Sequence, residues 1–216
     1  MIQITNSLNL NKLKNWKYLG SFLGAFGGIQ FIVITIIAQI IYPGGYSFTE
    51  NYFSELGHTI SVTNGQPTPI TLIMFITTCT IATICLIPYM LSMRTVFIKK
   101  KSTKYISTVG TIFGLIAAPC LSLLAYFPPN LYMDQHMLAT RLFFMLTGLT
   151  IIVYSIAILL NDLYEKIYGY FGLAVGFYMI FHLLVLLYNA ISQKFTVYTV
   201  IIWIVIQGIR LWKALE

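Results

Sequence analysis

Six apolar stretches, each long enough to cross a bilayer as a helix, alternate with polar segments along the chain. A hydrocarbon core needs about 20 apolar residues of helix. The pattern predicts spans over residues 20–42, 70–93, 105–127, 136–160, 168–190 and 197–215. The expected fold is therefore all-α: a polytopic membrane protein forming one domain over 1–216, a bundle of six transmembrane helices. Three connections, 43–69, 128–135 and 191–196, fall on one side.

The first of these connections has a pattern of its own. Ser47-Phe48-Thr49-Glu50 fits a capping box, in which a serine oxygen and a glutamate carboxylate satisfy free N–H groups at a helix start. Gly57 suits the end of that helix. Between them Phe48, Tyr52, Phe53 and Leu56 share one side, and Asn51, Ser54 and Glu55 the other. A short amphipathic helix lying at the interface is expected here, with an ordinary structured loop as the alternative.

Charge gives the orientation. Lys12, Lys14 and Lys17 precede the first span; Arg94, Lys99, Lys100, Lys101 and Lys104 follow the second; Lys166 follows the fourth; Arg210 and Lys213 close the sixth. Eleven of the 13 basic residues thus lie on one side. Short loops rich in Lys and Arg stay in the cytoplasm, so both termini are expected there and the protein in the cell membrane. The net charge of +7 is read the same way, as topology determinants meeting anionic headgroups, and no nucleic-acid partner is expected. Mean hydropathy of +0.81 with only 9% charged residues leaves too little polar surface for a water-soluble globule. Cys79, Cys85 and Cys120 all fall within spans and without CxxC spacing, which predicts free thiols.

Small residues recur every four positions at Gly20, Gly24 and Gly28, at Gly110, Gly114 and Ala118, and at Gly172 and Gly176. Such spacing lets helix backbones approach closely in lipid. Tight packing within one bundle is expected, the alternative being a homo-oligomer through the Gly20/Gly24/Gly28 face. Pro88 and Pro119 are expected to kink their helices.

Tyr42-Pro43-Gly44-Gly45-Tyr46-Ser47, followed by Asn51-Tyr52-Phe53-Ser54-Glu55-Leu56-Gly57, resembles the pattern after the first span in the membrane-protein family catalogued as domain of unknown function 998. Phe127-Pro128 and then Asp134-Gln135-His136 are similar to a second family feature, a Phe-Pro followed by a histidine entering the next helix. Many members carry a cysteine-rich segment after that Phe-Pro; Pro129-Asn130-Leu131 stands here instead. The resemblance implies six spans and no assigned activity.

Ionisable groups at membrane depth mark candidate chemistry. Arg141 lies five residues into the predicted fourth span, about 7 Å below His136, and His182 about 10 Å below Asn189. One outward-facing polar pocket is expected between spans 4 and 5, capped by 43–69, with Arg141, Glu55, Asn51 and His182 as ligand-binding residues. A lipid headgroup or small anionic solute suits the planar fork of Arg141, with membrane lipids as partners and no cofactor. The duller readings are an Arg141 that snorkels to headgroups and a His182 that bonds between helices. The alternative function is a zinc-dependent intramembrane hydrolase of amide or ester lipids. His58, His136 and His182 would be its metal ligands, and His136, Asp134 and Glu55 its catalytic candidates.

Overall fold

The computed structural model describes residues 10–162 and 164–216; residues 1–9 and 163 of the predicted 1–216 domain lie outside that set. Six long helices account for most of it: α1 Trp16–Ile40, α2 Pro69–Arg94, α3 Lys101–Tyr126, α4 Met133–Leu159, α5 Lys166–Val185 and α6 Ala190–Ala214. All six are long and apolar enough to cross a membrane. The shortest, α5 with 20 residues, spans about 30 Å, the thickness of a hydrocarbon core.

Local chemistry sets the helix ends. Asn15 caps α1 by accepting from Lys17 N, and Pro69 opens α2, where a missing N–H costs nothing. The predicted fifth span ran on to 190, but α5 stops at Val185 and Asn189 caps α6 by accepting from Ser192 N at 2.8 Å. The apolar run through Leu187 hid that break. The connection is therefore 186–189, and the predicted outer loop 191–196 lies in the first two turns of α6. Both prolines lie inside helices that continue past them.

Each helix packs against its neighbours in sequence, and α6 closes onto α1, so the six form a ring. The start of α1 and the end of α6 meet on one face: Lys12 Nζ lies 2.8 Å from Glu216 Oε1, and the Tyr18 hydroxyl donates to Leu215 O at 2.5 Å. The connections 41–68, 127–132 and 186–189 form the opposite, loop face. Toward the terminal face the centre is filled by large side chains, among them Tyr89, Phe97, Tyr154 and Trp203. Toward the loop face Phe31, Phe53, Leu56 and Phe75 make a second cluster.

The predicted glycine contacts are made inside the chain. A Cβ on Gly20 would lie 2.5 Å from Pro88 O, and one on Gly24 2.3 Å from the Tyr89 ring; Gly28 faces Val205 and Ile201. That face packs against α2 and α6 within the chain.

The first loop also departs from expectation. No amphipathic helix forms over 48–56; a turn at 48–50 leads to a 3₁₀ helix, Phe53–Gly57. The Ser47 capping role is reversed, since Ser47 N donates to Asn51 Oδ1 at 2.7 Å. The cause is competition for backbone groups. In an α-helix Asn51 O and Phe53 N would bond within the segment; here Asn51 O receives Lys194 Nζ, and Phe53 N donates to Gln193 Oε1 at 2.7 Å. Positive φ angles at Gly44 (83°) and Gly45 (86°) turn the chain back across the bundle end.

Candidate functional site

The ring encloses a cavity of about 90 Å³, measured as space open to the centre of a water molecule. All six helices contribute to its wall. Along α2 it runs from Phe75 to Leu86, about 16 Å of rise. Small residues line it: Gly24, Gly27 and Gly28 on α1, and Cys79 and Ala82 on α2.

Phe53 and Ser54 roof the cavity at the loop face, and its polar lining is Ser54, His136, Thr140 and Gln193. No Asp, Glu, Lys or Arg lines it. His136 is buried, with Nδ1 2.7 Å from Leu124 O and 3.0 Å from Phe127 O, the free carbonyls at the end of α3. Thr140, one turn along α4, has a buried hydroxyl with no hydrogen-bond partner among the described residues.

The roof is strapped to α6. Asn51 O accepts from Lys194, the Tyr52 hydroxyl donates to Tyr188 O at 2.5 Å, and Phe53 N donates to Gln193. Lys194 is wholly buried, its ammonium 5.3 Å from the Tyr46 ring centre and 5.2 Å from that of Phe48. Both lie within cation–π range. Glu55 Oε2 accepts from Asn51 Nδ2 at 2.5 Å and contributes negative charge nearby. Burial, and then the Glu55 charge, raise the Tyr46 phenol far above its usual range. On the other side Asn130 Oδ1 accepts from Thr59 N at 3.1 Å, pinning 127–132 to the same loop.

The candidates expected in one pocket occupy three places. Asn51 and Glu55 belong to the Lys194 clasp. His182 is buried between α5 and α6, its Nδ1 2.8 Å from Ser192 Oγ and its ring against Phe144. Arg141 is exposed on the outside of the ring, in a shallow groove with Leu138, Leu142, Leu184 and Tyr188, and makes no ion pair among the described residues. Asp134 is exposed at the start of α4.

The three-histidine metal set is not assembled. Among the described residues no three His, Cys, Asp or Glu side chains are grouped to hold a metal ion. His58 lies near His136, and burial, reinforced by that neighbour, pushes its imidazole below the ordinary 6.5. These residues do not fit the zinc reading. The three cysteines are free, as expected.

Thr140, Gln193 and Lys194 were not among the sequence candidates for the site. The adjacent polar pair Gln193-Lys194 beside an apolar run was the available signal.

Fold and cavity together define a multi-pass membrane protein: a closed ring of six transmembrane helices around an apolar core slot. The chain matches, over residues 25–210, the family model described as Protein of unknown function (DUF998), and belongs to that family. No curated protein and no solved structure matches it.

Proposed function

We propose that the protein binds the hydrocarbon chain of a membrane lipid in the central slot, polar end toward the first loop. The observation that carries this reading is the slot itself: a cavity at the centre of the ring, apolar over most of its wall, with its polar groups gathered under the roof. Filling such a void recovers dispersion contacts that its lining otherwise lacks. The basic terminal face then sits in the cytoplasm of a cell membrane and the loop face outside, by the distribution of Lys and Arg. In this reading the work is binding, and the strap 51–54 is the cover of the site.

Lipid content is the test. Protein purified in mild detergent is extracted and its lipids quantified by mass spectrometry, beside an Ala82→Phe variant that fills the slot. Near-stoichiometric lipid in the parent, lost in a variant that still elutes as a folded species, is the expected result. Equal recovery from both would overturn the reading.

A second reading keeps Arg141. Its exposed, unpaired guanidinium at the mouth of the apolar α4/α5 groove is matched by an anionic phospholipid headgroup at the bilayer surface. Native mass spectrometry with anionic and zwitterionic lipids tests it: Arg141→Gln is expected to abolish the preference for the anionic species.

A further inference from the structure

We infer that the lipid taken by the central slot ends in a neutral hydroxyl group, as a long-chain alcohol does, rather than in an anion. The inference rests on the proposed chain-binding role and concerns the polar end alone.

Two groups beneath the roof define what that end must offer. The first is His136. Both atoms facing its Nδ1, Leu124 O and Phe127 O, can only accept hydrogen bonds, so Nδ1 carries a proton. In the neutral ring Nε2 is then a lone pair, and a ligand meeting it must donate.

The second is Thr140. A threonine within a helix commonly returns its hydroxyl to the carbonyl four residues earlier. Thr35, Thr111, Thr150 and Thr196 all do so, at 2.7, 2.7, 2.7 and 2.8 Å. Thr140 does not: its hydroxyl is buried, lines the slot and has no partner among the described residues. A buried hydroxyl left unpaired is costly, and each such group calls for an occupant that answers it.

His136 and Thr140 are four residues apart and so share one face of α4. A hydroxyl donates once and accepts twice, which satisfies a lone pair and a Thr O–H together. An ether oxygen or a carboxylate accepts only. An anion would also enter a wall that carries no Lys or Arg, and burying a charge without compensation is prohibitive.

Ligand-induced thermal stabilisation of the detergent-purified protein separates the cases. The probes are hexadecanol, hexadecyl methyl ether, hexadecane, and palmitate held above its pKa. Hexadecanol is expected to bind roughly five- to tenfold more tightly than the ether, the worth of one neutral hydrogen bond. His136→Asn, whose amide N–H stands where Nδ1–H does and leaves no acceptor at the Nε2 position, is expected to erase that preference while still binding the chain; Thr140→Val, which keeps the side-chain shape, removes a donor that alcohol and ether share and is expected to weaken both alike. If alcohol, ether and hydrocarbon bind alike, the slot takes chains but the hydroxyl inference falls. Palmitate binding most tightly overturns it in favour of an anion. If no probe stabilises the protein, the chain-binding reading falls, and this inference with it.

Discussion

Lys194 on α6 donates its ammonium proton to the backbone carbonyl of Asn51, 143 residues away in the first loop. One buried charge thereby holds the roof of the cavity to the last helix, between the Tyr46 and Phe48 rings. A hydrogen bond from a charged group is worth about 1.5–3 kcal/mol. Lys194→Met keeps most of the volume and removes the bond. Amide hydrogen exchange over 43–57 is expected to accelerate by roughly tenfold or more at that energy, with exchange in α3 and α4 unchanged. Unaltered protection of the loop would show that the clasp does not secure it.

Gly24 faces the ring of a fully buried tyrosine, Tyr89, with no room for a methyl group. Overpacking of this kind costs about 1–3 kcal/mol. Gly24→Ala is expected to lower the melting temperature without changing the molar mass measured by light scattering. A folded protein of altered oligomeric state would restore the glycine face to a role between copies.

His58 makes stability depend on pH. Its folded pKa lies below the ordinary 6.5, because burial and the neighbouring His136 disfavour the charged ring. The unfolded chain therefore binds more protons in that window, and stability rises with pH. The His58 contribution is complete above about pH 6.5 and is lost as pH falls through the depressed value. Melting temperature is expected to drop on acidification across this range, and by less in His58→Gln. Parallel curves for the two proteins would dismiss the residue as the cause.

Gln207 is fully buried on α6, and neither end of its amide has a partner among the described residues. Replacing an unpaired buried polar group by an apolar one of like size is neutral or stabilising. Gln207→Met is expected to match or raise the melting temperature. A clear loss would mean that the amide binds something in the membrane-embedded protein, such as ordered water.

The six spans were legible because hydropathy over twenty residues reports one physical requirement, satisfied backbone in hydrocarbon. Glycines every four residues reported close approach, though not to which helix. What failed was local reasoning about segments whose partners are distant. The capping pattern at Ser47 was sound by itself, but Gln193 and Lys194 claim the backbone groups that a helix over 48–56 would use. Arg141 and Glu55 were joined because both lie near the loop face, whereas helix rotation puts Arg141 outside the ring. Lys194 fell within the expected outer loop 191–196 because the apolar run before Asn189 concealed the start of α6. The cavity had no signature in any one segment, because all six helices contribute to its wall.

Closure of that ring by α6 onto α1 has a consequence for biosynthesis. The sixth helix supplies both the last wall of the slot and the residues that fasten its cover, and it is the last of the six to leave the ribosome. Until then the other five helices lack the wall and the fastening that α6 supplies. Under the proposed chain-binding role, the first occupant would be enclosed during assembly, and its identity would reflect the membrane in which the chain was made.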